Sequence, residues 1–367
     1  MNQKRIEKLQ QKLREQKLEA MALMPGPNML YVSGIHAHAS ERPILLLILA
    51  EGEPAIIIPT LEAPKAKKAG ISAERIFNWG DDEGFAGAFQ KACRMLSLAG
   101  KTVAVETLYM RVLELEMLQE AAPGLKTEHA DGIMNGLRLV KDEDEIAKMR
   151  KAVEVAETAM HKLLPQIKIG MTEKQIAGIS SQELMNAGSD KSPFGPIVSS
   201  GPNAASPHAV PTDRPIGAGE LMIIDWGAIV NDYPSDITRT FAVGEVSDEY
   251  KQIYETVKQA NEAGKAISKP ANRCSQVDEA AREVIDEAGY GEYFIHRTGH
   301  GLGLEVHEEP SMMTGVQDQL VEGMTYTVEP GIYVPDQVGV RIEDDVVITA
   351  DGCESLTSFP RELMQVG

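Results

Sequence analysis

The stretch FIHRTGHGLGLEVHE, Phe294 to Glu308, holds three of the chain's eight histidines, His296, His300 and His307. Gly299, Gly301 and Gly303 separate them, and glycine lets a backbone fold tightly or approach another group closely. Four acids stand in equally unusual settings. Asp225 follows an apolar run in LMIIDWGA, and Asp236 comes eleven positions later, beyond the turn sequence Asn231-Asp232-Tyr233-Pro234. Glu329 ends MTYTVE just before Pro330-Gly331, and Glu343 sits among apolar residues in VGVRIEDD, two positions after Arg341.

The two aspartates read as neighbours on a strand–turn–strand hairpin. A two-residue turn at Val230-Asn231 sets them opposite one another. A turn at Asn231-Asp232 makes them diagonal neighbours. Both registers put the carboxylates on one face, whereas a three-residue turn would separate them. Facing like charges inside a sheet are unfavourable unless a cation lies between them. The plainer alternative makes Asp236 an exposed turn residue and Asp225 a cap. The buried setting of Asp225 favours a metal pair, because an unpaired buried carboxylate is costly. Glu329 and Glu343 extend the theme, while Asp344 and Asp345 are expected at the surface.

Four carboxylates with one histidine are too acidic for a structural zinc site, which prefers thiolate and imidazole. They are also more anionic than one divalent ion needs. Two divalent ions fit better, manganese first, with cobalt and zinc as alternatives. Such a pair, about 3.5–4 Å apart, produces hydroxide at neutral pH and stabilises a tetrahedral oxyanion, so the expected chemistry is hydrolysis.

These residues need a scaffold, and 367 residues are too many for one ordinary core. The first part alternates helix and strand patterns. A polar helix (Gln3 to Gln16) leads to strands at AMALM (Ala20 to Met24), PILLLILA (Pro43 to Ala50), PAIIIP (Pro54 to Pro59) and KTVAVE (Lys101 to Glu106), with a helix from Tyr109 to Ala122. That order predicts an α/β layer domain without a nucleotide-binding glycine loop. The rest reads as a duplication. Two helix pairs, one beginning at Glu143 and one at Ser247, each break briefly and end at Ala-Gly. Their second helices open with Thr172-Glu-Lys-Gln175, a capping box, and Ser275-Gln-Val-Asp278, a looser one. Two similar halves sharing one sheet are expected, with chance resemblance of amphipathic helices as the alternative. The fold class is therefore α/β (α+β), with domains at residues 1–132 and 133–367.

A net charge of −19 argues against nucleic acid or an anionic membrane as partner. ILLLILA is strand-sized, and no apolar run approaches a bilayer's thickness. The charged N-terminus lacks a signal peptide's apolar core. Three scattered cysteines fit reduced thiols, and a cytoplasmic location is expected.

The ordered set Asp225, Asp236, His300, Glu329 and Glu343, in IIDWGA, SDITRTF, GHGLGLEVHE, TVEPGIY and GVRIEDD, resembles the creatinase/methionine-aminopeptidase superfamily of metallopeptidases. The resemblance covers essentially the whole chain. It implies a creatinase-type N-terminal α/β domain and a C-terminal "pita-bread" catalytic domain with pseudo-twofold halves. It implies that these five residues hold two metal ions, with Glu329 also acting as general acid/base. His208, in SSGPNAASPHA, matches a histidine that contacts the scissile carbonyl or helps stabilise the tetrahedral intermediate, and His307 one that faces substrate. Arg341 would orient a ligand carboxylate. His296 matches a pocket-lining histidine, with a structural role on strand IHRT as the alternative. The glycines are expected to bring the His300 strand close to the metals.

Within the superfamily, methionine aminopeptidases usually lack the long N-terminal domain, and creatinases lack the full ligand set. The chain is similar to the prolidase (Xaa-Pro dipeptidase) and aminopeptidase P branch. Arg297 beside the pocket could hold a dipeptide's free carboxylate. The segment SGIHAHASERPILL, Ser33 to Leu46, resembles the loop of compact prolidases, although its triplet reads Ser40-Glu41-Arg42. Both features favour a dipeptidase acting on small Xaa-Pro peptides, with aminopeptidase P on longer peptides as the alternative. The resemblance further implies a homodimer in which the loop carrying His38 reaches the neighbouring active site. A non-catalytic peptide-binding protein is the reading from another class.

Overall fold

Ile6, Leu9 and Leu13 recur at helical spacing, and all three are buried along one face of helix α1 (Gln3–Glu15). Asn2 starts the helix by accepting the Arg5 N–H at 3.2 Å. The computed structural model describes residues 1–367, which divide into two units, Met1–Arg138 and Leu139–Gly367.

In the first unit six strands form one mixed sheet. They are β1 (Ala20–Leu23), β2 (Leu45–Leu49), β3 (Ala55–Pro59), β4 (Ile76–Trp79), β5 (Thr102–Val105) and β6 (Lys126–His129), in spatial order β4-β3-β2-β1-β5-β6. The helices after α1 are α2 (Pro27–Ser33), α3 (Ala63–Lys68), α4 (Ala86–Met95), α5 (Val112–Ala121) and α6 (Asp131–Arg138). Alternate residues serve opposite faces, as the pleat requires. Ala20, Ala22, Leu45, Leu47 and Ile57 join Phe89, Ala92 and Leu118 of α4 and α5 in one cluster. Met21, Leu23, Leu46 and Ile48 between them are fully buried as well. A sheet covered on both sides explains why ILLLILA is continuously apolar.

The sequence pattern predicts neither β4 nor β6. Strand β6, KTEH, is a mostly exposed edge with no apolar residue to mark it. The helix predicted from Tyr109 begins at Val112, because the Tyr109 and Met110 amides bond back to the Glu106 carbonyl.

Glu106 is a buried acid of this unit. Its carboxyl accepts from the Met24 N–H (2.6 Å) and Asn28 Nδ2 (2.8 Å), yet burial pushes its pKa up to about 7. The folded state therefore holds a proton that the unfolded chain releases near pH 4.5. This contribution is fully present below that value and is lost as pH rises through about 7, a loss of about 3 kcal/mol by pH 8. Glu106→Gln cannot ionise, so its stability relative to wild type is expected to rise between pH 5 and 8. Urea midpoints that fall in parallel for both proteins across that range would contradict this.

The second unit contains two helix pairs. The first is α7 (Glu143–Leu163) with α8 (Glu173–Ala187), and the second is α9 (Asp248–Ile267) with α10 (Cys274–Glu287). The expected capping box of α8 forms, with Thr172 and Gln175 bonded reciprocally at 2.9 and 3.2 Å. Helix α10 starts two residues earlier than expected, with Arg273 rather than Ser275 as its cap. The Arg273 amide donates to Gln276 Oε1 at 2.8 Å, and Asp278 is no cap. Its buried carboxylate instead takes the Thr298 and Thr314 amides, both at 3.0 Å, and so ties α10 to the segment leading to His300. Both Ala-Gly stops place a left-handed glycine, Gly188 (φ 106°) and Gly289 (φ 83°), after the helix.

Each helix pair is followed by strands. The first set comprises β7 (Ile197–Ser200), β8 (Glu220–Trp226), β9 (Ile229–Val230), β10 (Tyr233–Pro234) and β11 (Ile237–Val243). The second comprises β12 (Gly299–Gly301), β13 (Glu308–Met312), β14 (Thr325–Val328), β15 (Gly331–Val334), β16 (Val338–Arg341), β17 (Asp344–Ile348), β18 (Cys353–Ser355) and β19 (Gln365–Val366). The halves do not share one continuous sheet as expected. They build a four-stranded sheet, β19-β11-β8-β7, and a five-stranded sheet, β13-β12-β14-β17-β18. A single bridge, Thr238 to Glu343, links them. Pro330 lacks the amide a continuing ladder needs, and the chain turns there into the β15–β16 hairpin. The candidate ligands cluster around that bridge.

Candidate metal centre

Asp225 lies on β8, and Asp236 immediately precedes β11. Thr238 pairs with Asp225 and Ile237 with Trp226, so Asp236 is the diagonal neighbour of Asp225 on the same face. This is the register of a turn centred on Asn231-Asp232, whose φ angles of 50° and 75° suit a tight hairpin turn. Gly227, beside Asp225, is required for the close return, because a Cβ there would meet the Ser235 carbonyl oxygen at 2.0 Å.

Glu343 reaches the same point from the other half. Its amide donates to the Thr238 carbonyl (3.0 Å), and its Oε2 accepts from Thr238 Oγ1 (2.6 Å). Glu329 follows β14 directly, held by its amide on the Thr298 carbonyl (2.7 Å) and by Thr327 Oγ1 (3.1 Å). His300 occupies the middle of β12, with Nδ1 against the Gly301 carbonyl (3.2 Å) and Nε2 toward Glu329 (3.2 Å) and Asp236 (3.8 Å). The flanking glycines have a different reason from the one expected. A Cβ at Gly299 would meet the Thr327 carbonyl oxygen at 1.8 Å, and one at Gly301 the Glu309 carbonyl oxygen at 2.2 Å. They admit the strand between its neighbours; the imidazole alone reaches the acids.

The donor atoms form three interlocking triads, each with its atoms within 4.8 Å of one another: Asp225, Asp236, Glu343; His300, Glu329, Glu343; and Asp236, His300, His307. The environment fits cations. Asp225 Oδ1 is buried without a hydrogen-bond partner. Burial raises all four carboxyls, Asp236 and Glu343 well above the usual range and Glu329 to about 7; repulsion from neighbouring acids adds to the rise at those three, whereas Arg341 opposes it at Asp225. Burial and neighbouring His307 hold the His300 imidazole well below its usual value, so it is neutral, as a metal ligand must be. Arg341 is the one buried cation here. It donates to Asp225 Oδ2 (2.7 Å), Thr238 Oγ1 (3.1 Å) and the Tyr333 hydroxyl (2.9 Å). Four carboxylates less one arginine leave three negative charges, which two divalent ions exceed by one. The residual positive charge suits an anionic nucleophile.

Asp344 and Asp345 are not at the surface. Both are 1% exposed. Asp344 pairs with Arg239 (2.7 Å) and Lys265 (2.5 Å), and Asp345 accepts the Asp236 amide at 3.1 Å.

A cavity of about 490 Å³ opens over the cluster. Asp225, Asp236, His300, Glu329, Glu343, Arg341, His208, His296, Arg297 and His307 all line it. His208 and His307 are exposed in it, with the His307 ring 4.1 Å from that of His300. His296 lies before β12, not on a strand. Its Nε2 meets the Tyr333 hydroxyl at 3.0 Å, and burial lowers its pKa to about 4. Arg297 is half-buried, with Nη1 on Ser311 Oγ at 3.2 Å. His38 is exposed in the first unit and is not part of this lining. Sequence reasoning missed Thr238, Tyr333 and the apolar wall of Pro193, Phe194, Ile197, Pro207 and Val306. Thr238, two residues after Asp236, was readable from strand periodicity. The wall carries no chemical signal.

Residues 147–350 match metallopeptidase family M24, and residues 5–140 match the creatinase/prolidase N-terminal domain. The chain is 35% identical over 365 residues to the Xaa-Pro dipeptidase of Pyrococcus horikoshii, covering 99% of each. It resembles the crystal structure of recombinant prolidase from Thermococcus sibiricus with a TM-score of 0.94 at 34% identity, over 100% of both chains. It resembles the X-Pro aminopeptidase from Thermotoga maritima with a TM-score of 0.88, also at 34% identity and over 100% of both chains. Five clustered candidate ligands, two sheets with paired helices and a match over more than half of the chain lead to one conclusion: this protein belongs to metallopeptidase family M24.

Proposed function

We propose that the chain is a dinuclear-metal Xaa-Pro dipeptidase. The observation that carries this reading is the set of three interlocking donor triads on the floor of one cavity. Asp225, Asp236, His300, Glu329 and Glu343 would hold the two ions, manganese first for an oxygen-rich set, with cobalt or zinc as alternatives. Bound there, the ions would acidify a water and withdraw electron density from the scissile carbonyl. Arg341 fixes Asp225 in its ligating orientation. Glu329 takes the proton released by water and delivers it to the leaving nitrogen, which a tertiary amide needs in order to depart. His208 and His307, exposed on the cavity wall, donate to the carbonyl oxygen as it gains charge. Arg297 holds the free carboxylate of the dipeptide, and the apolar wall receives the side chains.

The likeness to an X-Pro aminopeptidase favours a second reading, aminopeptidase P acting on longer peptides. Metal-stripped enzyme reloaded with manganese, cobalt or zinc separates the two. The dipeptidase cleaves Ala-Pro and spares Ala-Pro-Ala. Comparable cleavage of the tripeptide would move the assignment to aminopeptidase P, and inertness to both would remove peptidase activity before proline. We extend the reading to a cytoplasmic homodimer whose His38 segment serves the neighbouring site, prompted by the exposure of His38. Undiminished turnover by His38→Ala, or by a monomeric variant, would exclude that arrangement.

A further inference from the structure

We propose that Glu173 is a positioning residue that sets His208 against the substrate, a role that rests on the reading of His208 given above. Glu173 is the first residue of α8 and is fully buried. One oxygen accepts from Ser200 N (2.7 Å) and Ser200 Oγ (3.3 Å). The other accepts from Asn203 Nδ2 (2.8 Å), Thr212 N (2.9 Å) and Thr212 Oγ1 (2.7 Å). A single carboxylate therefore gathers both ends of the Ser200–Thr212 segment, and His208 lies between those ends. The start of α8 favours that negative charge, and its first amides grip the same chain, Glu173 N on the Arg214 carbonyl and Lys174 N on that of Thr212.

Between its anchors the segment stands away from α8. A cavity of about 610 Å³ separates Lys174, Ala177 and Gly178 of the helix from His208, Val210 and Pro211. His208 shares in both this cavity and the one over the metal centre. Packing against α8 therefore does not hold the imidazole; the anchored backbone does. The Pro207 carbonyl, which accepts from Arg341 Nη1 at 3.2 Å, ties the same backbone to the residue that orients Asp225. Glutamine cannot replace Glu173, because its amide nitrogen would face donors already aimed at the carboxylate.

The test measures Ala-Pro hydrolysis by the manganese-loaded, full-length wild type, Glu173→Gln, His208→Ala and the double variant. His208→Ala is expected to lose about 10²–10³-fold in kcat/KM, and Glu173→Gln about 10–100-fold, mostly in kcat. The double variant is expected to lie within about threefold of His208→Ala alone, because Glu173 acts through that ring. A merely structural role would lower both backgrounds by the same factor. Losses that multiply in the double variant, or a wild-type rate for Glu173→Gln beside an impaired His208→Ala, would overturn the proposal. A wild-type rate for His208→Ala would instead remove the reading of His208, and the proposal with it. If Glu173→Gln does not fold, Asn203→Ala and Thr212→Val each release one anchor, and the same coupling to His208 is required of them.

Discussion

Glu329→Gln is expected to lower kcat on Ala-Pro by at least about a thousandfold while the protein remains folded. Two contributions combine. Loss of the acid/base group alone costs about 10²–10⁴-fold, and a neutral amide is also a poorer ligand for a cation than a carboxylate. Structure should survive, because glutamine keeps the shape and the main-chain bond from residue 329 to the Thr298 carbonyl at 2.7 Å is untouched. Thr327 Oγ1 can still donate to the amide oxygen. Without metal, the substitution also removes one of four mutually repelling buried carboxyls. Turnover measured beside circular dichroism and thermal melting decides the matter. A folded variant with wild-type kcat would take Glu329 out of the chemistry.

The largest effect on stability is expected at Arg239, which does not line the cavity. All five guanidinium N–H groups find acceptors: the carbonyls of Thr238, Glu343, Phe359 and Pro360 at 2.6–2.9 Å, and Asp344 Oδ1 at 2.7 Å. Arg239 and Asp344 are each 1% exposed. Removing one partner of such a buried pair leaves a charge without compensation, at a cost of about 3–5 kcal/mol. Arg239→Met is therefore expected to lower the urea midpoint sharply. Arg239→Lys should recover little, since three ammonium protons cannot meet five acceptors. A midpoint within error of wild type for Arg239→Met would show that the network contributes nothing net.

This arginine also marks the limit of what the sequence reveals. Residues whose meaning is local were legible. The hairpin face shared by Asp225 and Asp236 follows from a period of two for either two-residue turn, although only the structure excludes the three-residue one, and the Thr172–Gln175 cap follows from a four-residue pattern. The clustering of the candidate ligands was legible because acids in apolar runs demand a partner. Asp344 and Asp345 look like surface acids because what neutralises or engages them is remote: Arg239 lies 105 positions from Asp344, and Asp236 109 from Asp345. Glu173 reads as the first-turn acid of an ordinary capped helix, and only the fold reveals the donors 27 to 39 positions away that converge on it. The glycines around His300 suggest a close approach to the metals, yet the groups they actually accommodate, Thr327 and Glu309, belong to strands whose pairing no local pattern encodes. Edge strand β6 was invisible because it buries no apolar face.

The most direct test of the metal centre counts ions and turnover together. Metal-free protein titrated with manganese should bind two ions per chain, gain activity on Ala-Pro as the sites fill, and lose both binding and activity in Asp236→Asn. Full activity in a preparation free of divalent metal, or unchanged manganese binding by Asp236→Asn, would contradict the assignment.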